Sequence, residues 1–143
     1  GRAGRISGVF SVLVEGDDHD EPVADAARAL LDGHVVLDRR VAERGRFPAV
    51  DILRTLSRAM TSVVSAQEAA LIAAARRHAS VYEDMREMIR IGAYRAGANA
   101  DVDRAIGMQP KLERFLNQNS SEIASSGETF RALAALCEED DPA

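Results

Sequence analysis

The second half of the chain combines a helical hydrophobic period with two helix-capping patterns, and this feature restricts the possible fold more than any other. Ser65 with Glu68, and Ser125 with Glu128, match the capping box, in which a serine and a glutamate three residues later satisfy each other's backbone amides. After the first box, apolar residues recur every three or four positions, which predicts a long helix with one apolar face. The residues of this stripe are Ile72, Ala75, Ala79, Tyr82, Met85 and Ile89.

Glycine and proline divide the rest of this half into shorter helices. Gly92 and Gly97 are expected to end the long helix, because glycine readily adopts the left-handed conformation of a helix end. Asp101 is a suitable cap for a short helix through Ile106, and Pro110 is expected to open another. A final helix should follow the second capping box. Only 4% of the residues are aromatic, and such cores usually consist of closely packed helices.

The first half mixes strand and helix signals. Apolar runs at 9–14, 34–37 and 49–53 predict short strands, and residues 23–31 behind Pro22 predict a helix. A brief helix ending near Gly45 is also expected. Strands that alternate with helices indicate part of a parallel sheet. Two or three short strands cannot satisfy their backbone hydrogen bonds alone. This half is therefore interpreted as part of a larger sheet, with residue 1 inside a domain.

Composition excludes several classes of protein. The 143 residues have a net charge of −5, so no overall basic field attracts nucleic acid or an anionic membrane. The chain contains one cysteine, Cys137, which rules out an internal disulfide and predicts a structural thiol in a reducing compartment. No apolar stretch approaches the roughly 20 residues that span a bilayer, and no signal-peptide pattern is present. A soluble cytoplasmic protein is expected.

A series of short motifs carries a family resemblance. Seven motifs occur one after another along the chain: Glu-Gly-Asp-Asp, Asp-Gly-His before an apolar run, Phe-Pro-Ala-Val-Asp, Leu-Ser-Arg, Ile-Gly-Ala-Tyr, Asp-Arg-Ala-Ile and Phe-Leu-Asn-Gln. This ordered set resembles the flagellar and type III secretion export ATPases, relatives of the catalytic subunits of rotary ATP synthases. The Asp-Gly-His at 32–34 favours the export branch over the synthase itself.

The resemblance implies a RecA-like nucleotide-binding core followed by a helical carboxy-terminal domain. We therefore expect a mostly helical chain that combines an α/β fragment, the truncated parallel sheet of residues 1–62, with an all-α domain at 63–143. The family forms homohexamers that bind ATP between subunits. The phosphate loop, Gly-x-x-x-x-Gly-Lys-Ser/Thr, is absent from these residues, as is an upstream strand ending in a magnesium-holding Asp. ATP and magnesium are therefore expected in the full-length protein, and no tight binding by this chain alone.

Three residues are candidates for the ATP site through the resemblance. Arg58 stands at the Ser-Arg position of the family's arginine finger, which reaches the γ-phosphate held by the adjacent subunit; the alternative is a surface arginine in an ordinary ion pair. Phe47 matches the aromatic ring that stacks on adenine; the alternative is a core residue. Phe115 lies in the segment that borders the same pocket and is equally well explained as core.

Other polar groups have weaker functional interpretations. Asp17 and Asp18 match a loop that faces the central stalk in rotary relatives, or form a solvated acidic turn. They lack a full set of metal ligands, so no metal site is predicted. His34 is expected to be a hydrogen-bonded structural residue. Arg76 and Arg77 are interpreted as part of a solvated helix face, with contact to acidic cargo or chaperones as the alternative.

Two classes of function follow. The first is the carboxy-terminal part of an ATP-hydrolysing motor for flagellar or type III export, peripheral at the inner membrane through its partners. Those partners would be the hexamer's own subunits, stalk and regulator proteins, export chaperones and cargo, and not nucleic acid. The alternative is a non-catalytic helical module that binds chaperones and cargo.

Overall fold

The computed structural model describes Gly4, residues 7–14 and residues 22–138. It divides into two compact units, Gly1–Asp32 and Gly33–Ala143. The second unit therefore includes residues on both sides of the predicted domain boundary at 62/63, and that boundary stays a prediction. Among the described residues, no helix is both long enough and apolar enough to cross a membrane.

In the first unit, the predicted helix is confirmed and the predicted strand is not. Helix α1 spans Pro22–Leu30, with the proline as its first residue. Residues 9–14 form no strand, and Val9 and Leu13 are 100% and 97% exposed. A strand requires a hydrogen-bonded neighbour, and the described residues supply none to this segment. The prediction of a strand at 9–14 is therefore wrong for this structure.

The second unit begins with a small antiparallel sheet. Strand β1, Gly33–His34, pairs antiparallel with strand β2, Leu56–Ser57, and an isolated antiparallel bridge joins Leu37 to Val50. Between them lies helix α2, Arg39–Glu43, which Asp38 caps. The helix at α2 was predicted. The predicted strand at 49–53 is wrong, because only Val50 forms a bridge there and the second strand lies later, at Leu56–Ser57. The predicted parallel direction is also wrong for this pair of strands. The chain returns through α2 and a turn at Gly45, which has φ +81°, and Leu37 and Val50 then pair antiparallel.

The Asp-Gly-His motif has a structural explanation in this sheet. A Cβ atom on Gly33 would lie 2.7 Å from the backbone oxygen of Leu56, so glycine permits the close approach of β1 and β2. The ring nitrogen Nε2 of His34 donates to the backbone oxygen of Arg54 at 3.0 Å. His34 is therefore the hydrogen-bonded structural histidine that was predicted. The RecA-like parallel sheet itself is not confirmed in the described part of the chain.

After the sheet, the described part of this unit contains four helices: α3, Met60–Val63; α4, Ala66–Arg90; α5, Ala100–Leu116; and α6, Ser126–Glu138. Helix α4 packs on both α5 and α6. The centre of their core is Ala75, Leu112 and Leu133, one residue from each helix, and Cys137 packs against it. This agrees with a structural role for the thiol.

Both predicted capping boxes are present. The hydroxyl of Ser65 accepts from the amide of Glu68 at 3.2 Å, and the Glu68 carboxylate accepts from the Ser65 amide at 2.7 Å. The Ser125 hydroxyl and the Glu128 carboxylate make the equivalent pair at 3.3 and 2.9 Å. These short-range patterns correctly located the beginnings of α4 and α6, although α3 was not predicted.

Helix α5 corrects two predictions. Its cap is Asn99, whose side-chain oxygen accepts from two amides of the first turn, so Asp101 is not the cap. The helix also runs through Pro110 without a break. A proline inside a helix costs about 3 kcal/mol, but burial of one large apolar side chain contributes roughly 1.5–3 kcal/mol. Met108 and Leu112, on either side of Pro110, are 1% and 2% exposed, and their burial offsets that cost.

The connection between α4 and α5 is tied to the start of α5. Gly92 follows the C-cap Ile91 and has φ +71°, which confirms that glycine ends the long helix; Gly97, with φ +85°, lies later, in the connection to α5. The carboxylate of Asp103 accepts from the hydroxyl of Tyr94 at 2.9 Å and from the amide of Gly97 at 2.8 Å. The Ile-Gly-Ala-Tyr motif and the aspartate of Asp-Arg-Ala-Ile thus belong to one structural network.

Candidate functional site

A single helical turn at residues 51–55 precedes the arginine-finger candidate. Asp51 starts this turn, because its Oδ1 accepts from the amides of Leu53 at 2.9 Å and Arg54 at 3.1 Å. The amide of Thr55 donates to the backbone oxygen of Asp51 at 3.0 Å and closes the turn. The aspartate of the Phe-Pro-Ala-Val-Asp motif therefore caps this turn.

Arg76, on α4, contacts the other end of this turn. Its guanidinium donates to the backbone oxygens of Ile52, of Leu53 at 3.0 Å and of Thr55 at 3.1 Å. The side chain is half-buried. The prediction that Arg76 belongs to a solvated helix face is therefore wrong, whereas its neighbour Arg77 is exposed. Arg76 follows Ile72 by four residues and precedes Ala79 by three, so its position on the apolar face was visible in the spacing.

Arg58 lies immediately after this supported segment. It is exposed, in the turn between β2 and α3. The backbone before it is held at two places, by pairing of β2 with β1 and by the turn at 51–55. A cation at this position has a defined backbone origin and an accessible side chain, as contact with a group outside the unit requires.

Phe47 is the second exposed candidate, with 54% of its surface accessible. It is not a core residue. Its backbone is attached to the end of α5: the amide donates to the Asn117 side chain at 2.9 Å, and the carbonyl accepts from the amide of Gln118 at 2.7 Å. Phe47 and the Phe-Leu-Asn-Gln segment are therefore neighbours in space, although 70 residues separate Phe47 from Asn117 in the sequence.

The remaining site candidates differ in their surroundings. Phe115 is half-buried and packs against the helical core, as its alternative interpretation predicted. Asp17 and Asp18 lie outside the described residues, so their contact with a stalk stays a prediction. No cluster of three or more histidine, cysteine, aspartate or glutamate side chains in the described ranges could hold a metal ion.

A cavity of about 350 Å³ lies between the 38–54 segment and helices α4 and α5, but it does not include the candidates. It contains an ion pair in which Arg46 Nε lies 3.2 Å from Glu113 Oε2, and the Arg46 side chain is 11% exposed. At Asp38, partial burial opposes ionisation, but the hydrogen bond from the Arg40 amide and the nearby guanidinium charges outweigh it and lower the pKa. In the lining of this cavity, Arg46 is therefore paired with Glu113, and Arg40 with Asp38.

Sequence reasoning missed the residues that attach the site to the helices. Arg46 and Glu113, and Phe47 and Asn117, are pairs distant in sequence with no local pattern that joins them. Together with Arg76, they connect the 46–55 segment to both α4 and α5. The exposed Phe47 thus lies in a segment that the helical bundle holds, and the exposed Arg58 lies three residues after that segment.

Comparison with protein families identifies the two parts of the chain. Residues 64–135 match the family described as the T3SS EscN ATPase C-terminal domain, and residues 1–57 match the nucleotide-binding domain of the ATP synthase alpha/beta family. A flagellum-specific ATP synthase of Caulobacter vibrioides is 48% identical over 134 residues, which is 94% of this chain and 30% of that protein. The chain thus spans about a third of such relatives.

Solved structures give the same result. The assembled ATPase EscN of the enteropathogenic E. coli type III secretion system superposes with a TM-score of 0.82 at 34% identity, over 87% of this chain and 30% of that one. EscN in complex with its central stalk EscO gives 0.75 at 34% identity, over 80% and 28%. The chain belongs to the family of flagellar and type III secretion export ATPases and corresponds to their carboxy-terminal part.

Proposed function

We propose that this chain is the carboxy-terminal part of an ATP-hydrolysing motor for flagellar or type III protein export, and that Arg58 acts on the ATP held by a neighbouring subunit. The observation that carries the proposal is an exposed arginine on a backbone segment held by β1 and α4. The chain's membership of the export ATPase family supports it.

The chemistry of the proposed role follows from the guanidinium group. It stays charged at all physiological pH values, and its planar set of donors can contact several phosphoryl oxygens at once. In the transition state of phosphoryl transfer, negative charge is distributed over those oxygens, so a cation placed there lowers the barrier. An exposed side chain on a fixed backbone can supply this contact across a subunit boundary.

The rest of the ATP site would come from elsewhere in the full-length protein. These residues contain no phosphate loop, so we propose that they bind ATP only weakly alone and do not hydrolyse it. Magnesium, where bound, would neutralise phosphate charge, and no described residue is assigned to hold it. Residues 1–62 would complete the nucleotide-binding core, and 63–143 would form the helical domain.

We propose the family's assembly for the complete protein. It would be a homohexamer in the cytoplasm, peripheral to the inner membrane through stalk, regulator, chaperone and cargo proteins. The solved EscN structures, described as an assembled ATPase and as a complex with a central stalk, support a subunit assembly and a stalk partner. The test of this function is ATP turnover by the complete protein, in which Arg58 should control kcat and Phe47 should control KM.

We expect Phe47→Ala to raise the KM for ATP by about 5- to 150-fold, because stacking of a base on an aromatic ring contributes roughly 1–3 kcal/mol. The value of kcat should change little, since the ring contacts the base and not the phosphates. Phe47→Tyr should retain the wild-type KM, because both rings present a flat face. Steady-state hydrolysis of ATP measures both constants. An unchanged KM in Phe47→Ala would exclude the adenine role.

A further inference from the structure

Each carbonyl group of residues 52–55 accepts a hydrogen bond from a side chain, and two side chains supply all of these donors. Arg76 on α4 donates to the carbonyl oxygens of Ile52, Leu53 and Thr55. His34 on β1 donates to the carbonyl oxygen of Arg54. The carbonyls at the end of a helical turn have no partner within the turn. Two side chains from different elements therefore complete the hydrogen bonding of this turn.

Arg76 supplies the larger part of this support. Two nitrogens of its guanidinium reach three carbonyls, which the planar arrangement of donors allows. A lysine ammonium carries its donors on a single atom and reaches fewer of these oxygens at once. Because Arg76 is half-buried, its hydrogen bonds are stronger than they would be in water. Its contact with the turn is thus a specific feature of arginine at this position.

The turn continues directly into the segment that bears Arg58. Thr55 accepts from Arg76 through its carbonyl, and its hydroxyl accepts from the Val36 amide at 3.1 Å. Leu56 and Ser57 then pair with β1, and Arg58 follows. Loss of Arg76 would leave three carbonyls without their partner and allow the turn to move relative to α4. The backbone from which Arg58 extends would move with it.

We propose that Arg76 is a positioning residue for ATP hydrolysis, which ties α4 of the helical domain to the turn that carries Arg58. The proposal rests on the proposed function of Arg58. Arg76 touches neither substrate nor phosphate; it fixes the backbone from which the finger extends. A displacement of α4 would be transmitted through these hydrogen bonds to Arg58, so the helical domain could alter turnover at the neighbouring ATP site.

The test uses the complete ATPase with Arg76→Ala, Arg76→Lys and, as matched control, Arg77→Ala, which removes the adjacent exposed arginine of the same helix. Since a misplacement of about 1 Å can cost 10²-fold in rate, Arg76→Ala should lower kcat by roughly 10- to 100-fold with KM for ATP almost unchanged. Arg76→Lys should recover part of the loss. Arg77→Ala should match the wild type. Hydrogen exchange of amides 52–58 should accelerate most in Arg76→Ala, less in Arg76→Lys and not at all in Arg77→Ala.

A double variant separates positioning from general support. The rate of ATP hydrolysis that remains in Arg58→Ala is measured with enzyme in excess. If Arg76 acts through Arg58, the double variant Arg58→Ala/Arg76→Ala should hydrolyse ATP at that same residual rate. An equal further loss in that background would overturn the proposal, as would a wild-type kcat in Arg76→Ala. Should Arg76→Ala fail to assemble, Arg76→Lys is judged by the same criteria. A wild-type kcat in Arg58→Ala would instead overturn the proposed function, and with it the role of Arg76.

Discussion

Replacement of Arg58 by alanine in the complete export ATPase is expected to lower kcat by about 10³-fold or more, with the KM for ATP changed by less than about threefold. The guanidinium would contact the phosphoryl oxygens as charge develops on them, so its loss raises the barrier by about 4 kcal/mol without weakening nucleotide binding. Arg58 is exposed and contributes no buried side chain to the core, so folding should be preserved. Steady-state and single-turnover hydrolysis measure the effect.

Two further variants define what Arg58 supplies. Arg58→Lys retains the charge but loses the planar fork, and should recover only part of the lost rate. Arg77→Ala removes a different exposed arginine and should hydrolyse ATP like the wild type. If Arg58→Ala lowered nucleotide affinity and turnover equally, or left both unchanged, Arg58 would not be an arginine finger.

The second large effect concerns the helical core. Leu112→Ala is expected to destabilise the folded chain by about 2–5 kcal/mol, because it removes a buried side chain and leaves a cavity. Leu112 is 2% exposed and forms the centre of the core with Ala75 and Leu133. Urea unfolding, followed by the helical signal in circular dichroism, measures the change. A loss below about 1 kcal/mol would mean that α5 does not pack as described.

The matched control lies on the short helix α3. Val63 is 74% exposed, so Val63→Ala should change the free energy of unfolding by no more than about 0.5 kcal/mol. An equal effect of the two substitutions would show that Leu112 has no special place in the core.

Local sequence patterns predicted the helices because their causes lie within a few residues. The capping boxes at Ser65 and Ser125 and the glycine at 92 act on adjacent backbone groups, and the structure contains all three. Pro110 misled the prediction because packing of residues from elsewhere decides whether α5 continues. A local rule could not include the burial of Met108 and Leu112 against other helices.

The sheet and the attachment of the site could not be predicted for the same reason. The pairing of Gly33 with Ser57, and the contacts of Arg46 with Glu113 and Phe47 with Asn117, join residues far apart in sequence. The resemblance nominated Phe47 and Arg58, and the structure leaves both exposed. Their roles toward ATP stay predictions. The spacing of Arg76 relative to Ile72 and Ala79 placed it on the apolar face of α4, but its charge led to the prediction of a solvent-exposed side chain.

The most direct test of the central claim is to mix two inactive forms of the complete ATPase. One form carries Arg58→Ala with an intact phosphate loop; the other keeps Arg58 but has its phosphate-loop lysine replaced. If Arg58 acts on the neighbour's ATP, mixed assemblies should regain hydrolysis, with about a quarter of head-to-tail interfaces complete after random mixing in equal amounts. A mixture as inactive as its separate components would show that Arg58 does not complete the site of an adjacent subunit.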